Sequence, residues 1–237
     1  MKLSHVIFAL AVLPATVFAQ TEESQTTQTK ELQYEKSDGI KGYIGLNLNY
    51  VKGQLNDAWG EEFSYATGYD VDTDDLINPN NIGFSFNAGA QFNKYFGLEG
   101  FLEYTARSTA EINFYDAGKI NKLANYKAKV SSLAFGLDAM GYAPIADSKF
   151  SFVGSLGAGY YKFNSTIDVV NYTSGLSVSD SGDEKNLAFR IGIGGQYAFS
   201  DNFAMRGMVR YVALDYDDDE DVVEGLVDVS LGIKLTF

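Results

Sequence analysis

The last eleven residues, VDVSLGIKLTF (227–237), decide how the rest of the chain is read. Val227, Val229, Leu231, Ile233, Leu235 and Phe237 are apolar, and Asp228, Ser230, Gly232, Lys234 and Thr236 fall between them. A two-residue period sends alternate side chains to opposite faces of an extended backbone, so this segment is a strand with one greasy and one hydrophilic face.

The same period recurs upstream in residues 40–50, 82–92, 96–104, 132–142, 150–161, 187–199 and 203–211. In the first of these, Ile40, Ile44, Leu46, Leu48 and Tyr50 share a face opposite Lys41, Asn47 and Asn49; in the second, Ile82, Phe84, Phe86 and Phe92 oppose Ser85, Asn87 and Gln91. The connections alternate between short (93–95, 143–149, 200–202) and long (53–81, 106–129, 163–186, 215–224). Eight strands with tight turns at one end and large loops at the other predict an all-β fold, an eight-stranded antiparallel up-and-down barrel. Composition agrees: 24 Gly, 17 Phe and 16 Tyr against 3 Pro favour strands and turns.

Alternation alone does not say which face points outward, because a soluble, lipocalin-like barrel with a greasy interior shows the same period. Aromatic belts favour the opposite arrangement. Tyr50, Tyr104, Tyr160 and Tyr211 stand where outgoing strands meet their loops, and Phe92, Tyr95, Phe96, Phe150, Phe199, Phe203 and Phe237 cluster at the turn end. The eight steps from Phe96 to Tyr104, at about 3.3 Å each, match the height of a bilayer's apolar band once strands tilt. A transmembrane barrel is therefore expected, with short turns and both termini in the periplasm.

At the other terminus, MKLSHVIFALAVLPATVFAQ has an early lysine, an apolar run too short to cross a bilayer, and small residues before Gln20. Residues 1–19 are read as a secretory signal peptide, residues 20–38 as a disordered periplasmic extension, and residues 39–237 as the barrel. With no cysteine, neither disulfides nor a lipid anchor are expected.

The closing segment resembles the C-terminal signal of bacterial outer-membrane proteins, and the eight-strand pattern over residues 39–237 resembles the transmembrane domain of OmpA and the OmpX-type small barrels. The resemblance implies Sec export to the outer membrane of a Gram-negative bacterium, with outer-membrane lipids and lipopolysaccharide as neighbours. It implies that the barrel-assembly machinery reads Val227, Val229, Leu231, Ile233, Leu235 and Phe237. It also implies a role in membrane stabilisation or adhesion.

Two strands look like copies with inverted charge: FGLEGFLEY (96–104) carries Glu99 and Glu103 where FAMRGMVRY (203–211) carries Arg206 and Arg210. The third and seventh strands of eight lie opposite one another across roughly 16 Å, within reach of a joined Arg and Glu. Two arrangements stay open: cross-lumen pairs Glu99–Arg206 and Glu103–Arg210, or pairs between neighbouring strands such as Arg206 or Arg210 with Asp228. The hydrophilic face carries Lys41, Arg190, Arg206, Arg210 and Lys234 against Glu99, Glu103, Asp138 and Asp228. That near-balance favours a plugged lumen over an ion-selective pore, because uncompensated buried charge is costly.

The net charge of −13 sits in the predicted loops, which carry −7, +3, −3 and −7 in chain order. An acidic exterior disfavours nucleic acid as a partner. Asp70, Asp72 and Asp74 could offer carboxylates to a divalent cation, but the sixth and twelfth positions of a calcium loop are here Asp75 and Asn81 rather than Gly and Glu, so a solvated acidic loop with no metal is the preferred reading. The single histidine, His5, lies in the signal segment, which removes the familiar ways of activating a nucleophile. No enzyme activity and no cofactor are expected. A surface-interaction role through the loops is the main reading, with Trp59, Phe63, Tyr65 and Tyr69 as aromatic contact area for a surface ligand. A narrow or gated small-solute pore is the alternative.

Overall fold

The computed structural model describes residues 39–55, 65, 76–116, 120–146, 148–214 and 223–237. Eight strands run β1 (Lys41–Leu55), β2 (Asn80–Gln91), β3 (Phe96–Tyr115), β4 (Lys122–Pro144), β5 (Phe150–Asn171), β6 (Leu176–Ala198), β7 (Phe203–Leu214) and β8 (Val223–Thr236). Each pairs with its chain neighbours, and β8 closes onto β1 with Leu46 opposite Ile233 and Leu48 opposite Leu231. The closing segment read first is thus the stave that joins the ring.

The two faces fall as the alternation requires. Leu48, Ile193 and Leu231 are 66%, 73% and 58% exposed on the outside, whereas Asn47, Asn87, Glu99 and Arg210 are buried within. A soluble barrel with a greasy interior is ruled out by this inversion: the apolar residues are the exposed ones. Tyr50, Tyr104, Tyr160 and Tyr211 ring the loop end of the outer face, and Phe92, Tyr95, Phe96, Phe199 and Phe237 lie exposed at the turn end.

The sequence reading fails in the middle of the chain. Residues 106–129 and 163–186, expected as loops, are mostly paired strand: β3 and β4 stay paired to Tyr115 opposite Lys122, and β5 and β6 to Asn171 opposite Leu176. The true connections are residues 116–121 and a four-residue turn, 172–175, in which Asn171 Oδ1 accepts from the Thr173 and Ser174 amides and Gly175 takes a left-handed φ of 70°. Beyond the ring the apolar side chains of β3 and β4, such as Ile112, Phe114, Tyr126 and Ala128, belong to the inner face, so the outward apolar face by which a ring strand is recognised ends there.

This four-stranded extension, β3 to β6, leaves the ring where β2 ends its pairing at Thr105, and a bulge between Thr105 and Ser108 falls at the same point. On its inner face Tyr126 and Ala128 pack with Leu76, Ile77, Ile112, Phe114 and Ile167. Its outer face is hydrophilic, with Lys129 Nζ 2.7 Å from Asp168 Oδ2 and Lys162 Nζ 3.4 Å from Asp183 Oδ2.

The hydrogen bond from Lys129, joined by one from Ser179 Oγ, holds the Asp168 carboxyl below the ordinary carboxylate range. A lowered folded-state value means that its contribution is fully present above the ordinary Asp pKa of about 3.9 and is lost as pH falls through the lowered value. A carboxyl-carbon NMR titration should place the Asp168 midpoint below that of a free Asp, and Lys129→Gln should move it upward. An unmoved midpoint in that variant would show that Lys129 is not the cause.

Candidate functional site

Inside the ring the side chains form three layers. At the loop end Val51, Phe163, Val212, Leu214 and Leu226 form a buried apolar cluster. At the turn end Met140, Tyr142, Val153 and Met208 do the same. Between them lie the charges.

Glu99 meets Arg206 across the lumen, with Arg206 Nη2 2.8 Å from Oε1 and 2.7 Å from Oε2. Asn87 Nδ2 donates to the same carboxylate and in turn belongs to an amide and hydroxyl ladder: Asn47 Nδ2 donates to Asn87 Oδ1 and Ser85 Oγ, and Ser85 Oγ donates to Asn49 Oδ1. Charge-assisted bonds of this kind are the strong ones in a dry interior.

The second inverted pair is not joined. Arg210 turns to Asp228, 3.1 Å away, and donates to Ser230 Oγ at 2.8 Å. The β7–β8 register sets Arg210 directly opposite Asp228, so the neighbouring carboxylate is met without crossing the lumen. Glu103 instead shares Arg190 with Asp138: Nη1 lies 3.5 Å from Glu103 Oε2 and Nη2 3.0 Å from Asp138 Oδ2. Asp138 and Glu99 are themselves cross-strand partners, so two buried carboxylates stand side by side, each faced by its own guanidinium.

Arg190 reaches Asp138 over an intervening strand. In register, Gly157 of β5 lies between Asp138 of β4 and Arg190 of β6, and a Cβ there would overlap the Asp138 carboxylate. Only glycine leaves that passage open. The Arg190 guanidinium also lies 3.7 Å from the centre of the Phe101 ring and donates to Tyr161 Oη at 3.3 Å.

Lys234 is buried and contacts no carboxylate among the described residues: its ammonium donates to Gln91 Oε1 at 3.2 Å and lies 4.0 and 5.0 Å from the Tyr43 and Tyr142 ring centres. Lys41, expected in the same network, is exposed at the turn-end mouth. Its place in the alternation is inward, but it sits too near the end of β1 to be enclosed. Without it the buried charges among the described residues number four of each sign: Arg190, Arg206, Arg210 and Lys234 against Glu99, Glu103, Asp138 and Asp228.

The sequence reading missed Phe101, Tyr161, Tyr43 and Tyr142 as partners of the cations, and the apolar layer at the loop end. Parity held the signal, since Phe101 lies between Glu99 and Glu103 on one face. Asp70, Asp72, Asp74, Trp59, Phe63 and Tyr69 lie outside the described residues, as do the signal segment and residues 20–38; Tyr65 is exposed. Among the described residues no three His, Cys, Asp or Glu side chains converge as a metal site.

The family model of the outer membrane protein β-barrel domain matches residues 7–237. The chain belongs to that family. Eight antiparallel strands in a closed ring, apolar outside and charged within, are those of a small transmembrane barrel of the outer membrane. Solved structures similar to it include Ail, the attachment invasion locus protein of Yersinia pestis, at 20% identity, covering 84% of this chain and 99% of that one with a TM-score of 0.45. Neisserial surface protein A matches at 13% identity over 84% and 100%, TM-score 0.44. A major outer membrane protein from Thermus thermophilus matches at 11% identity over 82% and 99%, TM-score 0.49. No curated protein matches the sequence.

Family membership makes the outer face the lipid-facing one and the lumen the enclosed one. Replacing Arg190 by Met should then leave Glu103 and Asp138 without their cation at a cost of about 3–5 kcal/mol, read as a lowered unfolding midpoint in urea. Adding Glu103→Gln and Asp138→Asn to Arg190→Met should recover much of that loss. Equal midpoints for the single and triple variants would refute the pairing.

Proposed function

We propose that this outer-membrane barrel is a structural and surface-interaction protein of adhesion type, with a lumen closed by its own side chains. The observation that carries the reading is the open edge of the extension. From Leu176 to Leu187, β6 pairs with β5 alone among the described residues, because β7 joins it only from Ala188 onward. Residues 176–185 are exposed without exception. A strand edge with unpaired amides and carbonyls is a template to which an extended segment of another protein adds, the backbone supplying affinity and alternate side chains specificity.

The family's turn-and-loop asymmetry supports placing the extension outside the cell and the short turns in the periplasm. The same reading has the assembly machinery recognise Val227 to Phe237, the Sec pathway export the chain from a Gram-negative cytoplasm, and lipopolysaccharide surround the outer leaflet. Lys162 and Lys185, on the outer face of β5 and β6 just beyond Tyr160, suit that phosphate-bearing leaflet. A non-catalytic role rests on the single histidine, His5, and the absence of cysteine. The apolar layer and the paired charges speak for a closed lumen over a small-solute pore, so planar-bilayer recording should show no steady conductance.

Excising residues 166–169 together with 178–181 shortens the hairpin equally on both strands, keeping the turn and the facing of every remaining side chain. Bacteria displaying this variant should attach to epithelial monolayers several-fold less than those displaying the full chain, with heat-modifiable mobility of the barrel retained. Undiminished attachment by a folded, surface-displayed variant would refute the edge as the working part.

A further inference from the structure

The four buried cations are not alike. Arg190, Arg206 and Arg210 each touch at least one carboxylate, whereas Lys234, 2% exposed, touches none among the described residues. Its contacts are one amide oxygen, from Gln91, and two tyrosine ring faces. Ring faces and a neutral amide stabilise an ammonium by less than a full negative charge does, so a buried cation held this way still attracts an anion.

Space for one lies beside it. Lys234 forms part of the wall of a cavity of about 160 Å³ at the turn end of the ring. Lys41 and Lys94 line the same cavity, with the amides of Gln91 and Gln196 and one carboxylate, Asp201. Among the described lining residues three ammonium groups stand against one carboxylate. An amide NH2 adds hydrogen-bond donors of the kind an oxyanion accepts. Water occupies about 30 Å³ per molecule in the liquid, so the volume suits a compact tetrahedral or planar oxyanion with part of its hydration shell, and is far too small for a folded partner.

The charge layout of the barrel points the same way. Glu103 and Asp138 share the single cation Arg190, which leaves a surplus of negative charge in the middle of the lumen, while the balancing positive charge sits at Lys234 beside the mouth. The described buried charges balance in number yet are polarised along the lumen, with Lys234 beside an open cavity. The geometry points to a binding site for a compact oxyanion, a phosphate or a carboxylate, at the turn-end mouth, with Lys234 as its buried anchor and Lys41 and Lys94 as its rim. The site depends on the barrel and not on the adhesive role of the opposite end.

The test is an amide NMR titration of the full barrel in detergent micelles with sodium phosphate, and separately with sodium acetate, each against sodium chloride at matched ionic strength. Saturable shifts confined to Gln91, Asn93, Gln196, Ala198 and Lys234 are expected, and whichever salt saturates first identifies the oxyanion class. Lys234→Met should weaken binding at least tenfold, and Lys234→Arg, which keeps the charge, should retain most of it. Where Lys234→Met does not yield a folded barrel, the Lys41→Gln/Lys94→Gln double variant, altered only at the mouth, should weaken binding several-fold and decides on the same criterion. Shifts no different from those in chloride, or saturation unchanged in these variants, would overturn the assignment.

Discussion

Pairing of the last strand with the first removes both edges of the ring at once, and the rest of the molecule depends on that closure. In hydrocarbon every backbone amide and carbonyl must find a partner within the protein, so a sheet survives there only as a cylinder. Closure also defines an interior. With eight staves that interior is narrow enough for side chains to fill, and what fills it is set by the residues that lipid rejects. The interior is therefore charged because the exterior is greasy, and the inward guanidinium groups and carboxylates meet counterparts of matching height.

That requirement explains the division of labour among the arginines. Arg206 spans the ring to Glu99, Arg210 takes the directly opposed Asp228, and Arg190 crosses above a glycine to hold two carboxylates at once. Planar guanidinium groups suit these roles because one head can hydrogen-bond in several directions while lying flat on an aromatic ring, as Arg190 does on Phe101. Lysine, a point charge on a flexible stem, occurs once among the described buried charges, at the end nearest water.

The architecture was legible in the sequence where one face of each strand meets lipid, since a uniform apolar medium enforces strict alternation from Ile40 to Phe237. Beyond Thr105 and Phe163 that medium is gone, and the outer face carries Glu111, Lys127, Lys129 and Asp168 where a ring strand carries apolar residues, so the lipid-facing pattern no longer marks the strands. For the lumen, parity correctly told which face each charge occupies but not its height along the axis. Height depends on register between strands, so the pairing of Arg210 with Asp228 and the position of Lys41 at the mouth could not be read from spacing within one strand. The glycine between Asp138 and Arg190 is invisible for the same reason: its role exists only once three strands are aligned.

That glycine has company. The inward wall of β5 and β6 also bears Gly159, Gly192 and Gly194, and the space above this bare backbone is taken by Phe101, the stem of Arg210 and Met208 from other strands. The interior is thus asymmetric, with Arg210 and Met208 of the adjoining β7 and Phe101 of β3 lying over naked main chain. Trimming the long side chains would uncover a smooth peptide trough along two of the eight staves, without any need to enlarge the cylinder. In a barrel built this way the side chains that occupy the interior lie over one wall, and opening a path would require changes along that wall alone.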